Sequence, residues 1–233
     1  MRALAIVHQA DAGPGVFAEA LARRGVELDE WLIADGPAPA EPAAYDAVLI
    51  LGGAMHPDHE PEHPWLRTEK AILADLIERR VPLLGMCLGS QLVAEAAGAR
   101  PRRASAPEIG WCEVELAPAA ADDPLLGGLP PRFEAFQWHS YEAPLPPGAT
   151  ALARSAVCLQ AFRLNGCAWG IQFHAEVSRA DADFWIDEYR ADPDAVRIGL
   201  DSDAFRRRTH ARIDAWNALG RELCERFVDA IAA

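Results

Sequence analysis

VPLLGMCLGSQLVAEAAGA, residues 81–99, is the stretch on which the fold turns. A short apolar run, Val81–Gly85, gives way to Met86, Cys87, Leu88 and Gly89, and apolar residues then recur at the spacing of a helix face. A buried strand turning sharply into a helix is the repeating step of an α/β sheet. A glycine on each side of the turn residue removes Cβ clashes. In G-x-S-x-G hydrolases the same arrangement lifts a serine out of the sheet. Here a thiol holds that place, where free backbone N–H groups and the helix dipole favour negative charge on sulfur. On its own, the pattern suits equally a small buried hydrophobe, the usual fate of a free cysteine.

Outward from this stretch, strands alternate with helical patterns. Leu4–Val7 reads as a strand, Gly15–Arg24 as an amphipathic helix ended by Gly25, and Glu27–Ile33 as a second strand. Ala47–Leu51 is a third strand running into Gly52 and Gly53, and Thr68–Arg80 a helix. Short, uniformly apolar strands between helices imply a parallel sheet covered on both faces. Further on, Glu113–Leu116 and Phe133–Trp138 read as strands. AVCLQAFRLNGCAWGIQFH (156–174) holds two β-rich runs joined by Asn165–Gly166, a strong hairpin signal. Beyond Asp181 the pattern is helical, with one long last helix expected over Asp203–Ile231. The expected organisation is one domain over residues 1–190, with a helical extension, 191–233, packed on it.

Composition narrows the function classes. The 233 residues carry 22 basic and 35 acidic side chains, a net charge of −13, and about half are apolar. Such a surface repels phosphate backbones, so no nucleic-acid partner is expected. The opening apolar run, Ala3–Val7, is too short for a secretory segment, and no stretch is long enough to span a membrane. Five scattered cysteines without CxxC spacing argue against a disulfide framework or a zinc site and for a cytoplasmic setting.

A nucleophilic thiol needs a base, and the base an orienting partner. GIQFHAEV (170–177) offers both: Ile171–Phe173 is strand-like, and His174 and Glu176, two apart on an extended chain, project to one side. An exposed His and Glu in a loop is the plainer alternative.

Together, LGGAMH (51–56), VPLLGMCLGSQ (81–91) and GIQFHAEV resemble, in order, the motifs of the class I, or triad, glutamine amidotransferases, most closely the stand-alone GMP-synthase-like members. EIGWCEVEL (108–116) is similar in style, and the resemblance covers roughly residues 4–187. It implies an open, mostly parallel sheet with helices on both faces, of flavodoxin-like type, plus an antiparallel hairpin portion. It implies that Cys87 attacks the glutamine carboxamide, that His174 is base and then acid, and that Glu176 orients it. It further implies oxyanion donors at Gly53 and Leu88, and substrate contacts at Gln91, Trp138, His139 and Ser140. No cofactor and no metal are implied. Ala54 and Ala175 replace prolines common in the family, which touches no reacting group. No synthetase motif accompanies these residues, so the ammonia acceptor is expected on a separate partner chain. The expected ligand is L-glutamine or a γ-glutamyl compound, the same thioester chemistry serving a γ-glutamyl hydrolase. A cysteine-elbow relative with another acid/base arrangement, and a non-catalytic binding subunit, are the remaining alternatives.

His56, His59 and His63 stand in HPDHEPEHPW (56–65). Pro57, Pro61 and Pro64 keep this run irregular and argue against converging metal ligands. The resemblance makes it a loop overhanging the site. Cys112, Cys158 and Cys167 read as core strand residues, five tryptophans (65, 111, 169, 185, 216) as packing, and Arg100, Arg102 and Arg103 as a solvated basic cluster.

Overall fold

The computed structural model describes residues 1–232. Nine strands form one sheet: β1 (Arg2–Val7), β2 (Glu27–Leu32), β3 (Ala47–Ile50), β4 (Leu83–Met86), β5 (Arg102–Leu116), β6 (Arg132–Glu142), β7 (Thr150–Arg154), β8 (Leu159–Leu164) and β9 (Ala168–Ile171). Their order is β2-β1-β3-β4-β9-β8-β7-β5-β6. The run from β2 to β9 is parallel, and every pairing beyond it is antiparallel.

Period-two alternation divides the apolar residues of the parallel strands between two cores. Ala3, Ala5, Val7, Leu49, Leu51, Leu84 and Met86 face one core, with Phe17 and Leu21 of α1 (Gly15–Arg23). Leu4, Ile6, Val48, Ile50 and Leu83 face the other, with Leu73 of α2 (Trp65–Glu78) and Leu92 of α3 (Leu88–Ala96). Strands buried on both faces account for their uniform apolarity. Asn165 and Gly166 hold φ of 52° and 78° in the three-residue turn, 165–167, between β8 and β9, a left-handed backbone that Asn and Gly adopt most readily.

The remaining helices are α4 (Arg179–Glu188), α5 (Pro193–Arg197), α6 (Ser202–His210) and α7 (Ile213–Ala232). The single helix expected over Asp203–Ile231 is therefore two. Asp201 caps α6 by accepting the Ala204 N–H at 2.9 Å, and buried Thr209 at its end accepts the Trp111 indole N–H at 3.0 Å. β5 also corrects the sequence reading, beginning eleven residues before Glu113. Its first half is largely exposed and rich in charge, so no apolar alternation marks it; pairing with β6, across an irregularity between Arg103 and Glu108, holds it. Cys167 lies in the hairpin turn and Cys158 just ahead of β8, rather than within strands.

Candidate active site

In open α/β sheets ligands bind beyond the carboxyl ends of the strands. Four adjacent parallel strands end together here, and the residues just past β1, β3, β4 and β9 are His8, Leu51–Gly53, Cys87 and Gln172–His174. Of these, Gly53, Cys87 and His174 help to line, with Trp185, an open cleft of about 960 Å³, solvent included.

Cys87 joins β4 to α3 with φ 49° and ψ −109°, a left-handed conformation that costs a non-glycine residue roughly 1–3 kcal/mol. The strain falls on the cysteine itself. Neighbouring Gly85 and Gly89 provide room instead: a Cβ on Gly85 would stand 2.7 Å from the Gly89 carbonyl oxygen, and one on Gly89 2.0 Å from that of Ile50. The elbow is tied on three sides. The Cys87 N–H donates to Ile171 O at 2.8 Å, the Gly89 N–H to Leu51 O at 3.1 Å, and the Ser90 hydroxyl to Cys87 O at 2.7 Å.

β9 ends at Ile171, two residues earlier than the strand-like run suggests, and His174 and Glu176 follow in a loop. That loop is buried, against the exposed alternative. The Nδ1 of His174 lies 2.7 Å from Glu176 Oε1, and the imidazole and the Cys87 side chain both flank Gly52. Burial disfavours the imidazolium, but the Glu176 carboxylate and the Cys87 sulfur outweigh it and push the His174 pKa up to about 10. Trp185 packs edge-on against the imidazole, its centroid 4.9 Å away.

The loop is held from behind by α7. The Trp216 indole donates to His174 O at 2.8 Å, and the Asn217 amide to Val177 O at 2.6 Å. The Val16 N–H of α1 donates to Glu176 O at 2.8 Å.

Gly53, Leu88, Gln91, Trp138, His139 and Ser140 all line the cleft. The Gln91 amide donates to Tyr141 O at 3.0 Å and Gln172 Oε1 at 3.1 Å, which fixes its orientation. Trp138, His139 and Ser140 lie inside β6 rather than at its end. His139 Nδ1 is 3.0 Å from Tyr141 O, and its Nε2 is 3.2 Å from buried Glu108.

Of the 56–65 run, His56 lines the cleft, and the run is tied down. Lys70 Nζ donates to Pro57 O at 2.6 Å and Glu60 at 2.8 Å, and the Tyr141 hydroxyl donates to Asp58 at 3.1 Å. Its imidazoles pack in a chain from Tyr141 through His56, His59 and His63 to Trp65. Among the described residues, the set whose ligand atoms converge within 4.8 Å is Glu108, His139 and Cys158. Glu108 Oε2 already accepts from Gln160 at 2.8 Å and Ser155 at 3.0 Å, so this set fits a buried polar network better than a metal site.

Sequence reasoning missed several residues. Arg103 is no free surface cation: it reaches both carboxylate oxygens of Asp194 at 2.6 Å and lines the cleft. His8 and Glu69 form a pair with fully buried side chains, His8 Nε2 to Glu69 Oε1 being 2.9 Å. His8 carried one usable signal, a polar residue immediately past a strand in an α/β order. Glu69 carried none, since a lone carboxylate in an amphipathic helix reads as exposed.

A family model for class-I glutamine amidotransferases matches residues 14–185. A GMP synthase (glutamine-hydrolyzing) of Thermomicrobium roseum is 37% identical over 131 residues, 56% of this chain and 23% of that protein, so the chain spans under a quarter of it. One subunit of the GMP synthase (glutamine-hydrolyzing) of Methanoculleus marisnigri is 30% identical over 158 residues, covering 66% of this chain and 79% of that protein. The crystal structure of a glutamine amidotransferase from Thermotoga maritima superposes with a TM-score of 0.88 at 29% identity, over 98% of both chains.

Proposed function

The chain belongs to the class-I glutamine amidotransferases, and from that membership we propose that it hydrolyses the side-chain amide of L-glutamine, with Cys87, His174 and Glu176 as the reacting set. One observation carries the assignment: a thiol on a strained elbow and an imidazole flank the same glycine at the cleft, and the imidazole Nδ1 is 2.7 Å from a buried carboxylate.

The Cys87 sulfur attacks the amide carbon while His174 holds the thiol proton. As the C–S bond forms, the carbonyl π pair moves onto oxygen, and the N–H groups of Gly53 and Leu88 receive the oxyanion. Collapse breaks the C–N bond, and the imidazolium proton passes to the departing nitrogen, giving ammonia and a γ-glutamyl thioester. Water, deprotonated by His174, then attacks the thioester; the C–S bond breaks, glutamate leaves and the thiol recovers its proton. Glu176 keeps the ring oriented in both half-reactions. Gln91 and the β6 segment Trp138–Ser140 border the substrate's amino-acid end.

The ammonia acceptor is proposed to lie on a partner chain, as relatives named for being one subunit of a GMP synthase suggest. Residues 191–232 are read as a helical extension packed on the same domain, because α7 bonds directly to the His174 loop. No described helix is long and apolar enough to cross a membrane, and five free cysteines suit a cytoplasmic setting.

The test is incubation with L-glutamine and, separately, with γ-glutamyl peptides, assaying ammonia, free amine and glutamate. Glutamine turnover that disappears in Cys87→Ala supports the proposal. Turnover of peptides alone moves the reading to a γ-glutamyl hydrolase, and turnover of neither moves it to a non-catalytic binding protein.

A further inference from the structure

The glycine loop after β3 is held from outside the reacting set. His8 Nδ1 lies 3.0 Å from Gly52 O, and since a carbonyl only accepts, that nitrogen carries a proton. The ring's other nitrogen meets the Glu69 carboxylate at 2.9 and 3.1 Å, and Trp65 stacks on its face with centroids 5.5 Å apart. The next residue, Gln9, accepts the Ala54 N–H at 2.7 Å. The Gly52 carbonyl and the Ala54 N–H are therefore both tied, and the Gly53 N–H between them donates to no protein group among the described residues.

A trans peptide is planar, with its C=O and N–H pointing opposite ways. The chain has no cis peptide among its described residues, so anchoring the Gly52 carbonyl on His8 turns the Gly53 N–H away from His8. Gly53 and Cys87 both line the cleft. A rotation of this peptide would withdraw that donor without moving the thiol.

We propose that His8, backed by Glu69, is a positioning residue that fixes the Gly52–Gly53 peptide with its N–H toward the oxyanion of Cys87 acylation. The idea rests on the reading of Cys87 as an acylated nucleophile. A fully buried ion pair is a weak source of stability compared with apolar packing, so a merely structural role explains it poorly. Burial works against charge on His8, but Glu69 and the carbonyls of Gly52 and Leu51 outweigh it and raise its pKa, favouring the doubly donating ring.

The test separates chemistry that forms an oxyanion from chemistry that does not. Acylation of Cys87 by 4-nitrophenyl acetate forms a C–S bond, breaks the ester C–O bond and passes through a tetrahedral oxyanion. Alkylation by iodoacetamide displaces iodide and does not. Both rates are measured after subtracting those of Cys87→Ala, in wild type, in His8→Asn, whose amide N–H replaces Nδ1–H, and in His8→Leu combined with Glu69→Gln, which leaves no buried charge unpaired. The double variant is expected to lose acylation by roughly 10²–10³-fold, the cost of one oxyanion donor. Its alkylation should stay within about twofold of wild type, and any glutamine kcat should fall with KM unchanged. His8→Asn should recover most of the loss. An equal fall in both rates, or no fall in acylation, overturns the proposal. If glutamine is untouched while ester acylation still depends on His8, the proposed reaction fails and the positioning role stands.

Discussion

Trp216, on the last helix, donates its indole N–H to the main-chain carbonyl of His174 at 2.8 Å. The imidazole loop is thus fixed at the backbone by an element that lies outside the three ordered motifs. Packing is equally close beside it, where Gly220 of α7 sits against the Ala175 carbonyl.

Trp216→Phe keeps an aromatic ring but leaves the buried His174 carbonyl without its donor, which costs about 1–3 kcal/mol. Urea unfolding should show a lower midpoint, and glutaminase kcat should fall because the loop is freed. An unchanged midpoint would mean that the bond contributes nothing.

Gly220→Ala places a Cβ 2.0 Å from the Ala175 carbonyl oxygen, so α7 or the loop must move. Overpacking of this kind costs about 1–3 kcal/mol. Gly13→Ala meets nothing within 4 Å and is the control, expected to change the melting temperature little. Equal melting temperatures for the two variants would contradict the packing described here.

Cys87→Gly and Cys87→Ala should both be inactive, yet differ in stability. Alanine keeps the strained φ of 49°, whereas glycine relieves it. The glycine variant is expected to be the more stable by about 1 kcal/mol in equilibrium unfolding. The reverse order would show that the elbow stores no strain.

Three residues show what the sequence makes legible. Cys87, His174 and Glu176 stand in short motifs whose local pattern (apolar strand, turn, helix; strand end, i and i+2) encodes their geometry. The parallel strands announce themselves because burial on both faces leaves no polar alternation. The Gly52 anchor does not, since His8 and Glu69 are 61 positions apart and meet only after β1, β3 and α2 have packed. The first half of β5 is hidden for another reason: it is exposed, and only pairing with β6 makes it a strand.

pH offers a further check. Burial opposes charge on His174, but Glu176 and Cys87 raise its pKa from 6.5 to about 10. A group raised on folding stabilises fully below its unfolded value, and that contribution is lost as pH rises through the folded one. The stability advantage of wild type over His174→Gln should therefore shrink as pH climbs from about 6.5 toward about 10. In Cys87→Ala, without the sulfur's share, the loss should be complete at lower pH. Urea midpoints across that range decide the matter; an advantage that grows with pH would contradict the assigned charge state.

The most direct test of the central claim is acid quenching of the protein during L-glutamine turnover, followed by peptide mass spectrometry. A γ-glutamyl adduct on the peptide containing Cys87, with ammonia and glutamate released in equal amounts, is the predicted result. Glutamine turnover with the adduct on another residue, or turnover that survives in Cys87→Ala, would contradict it.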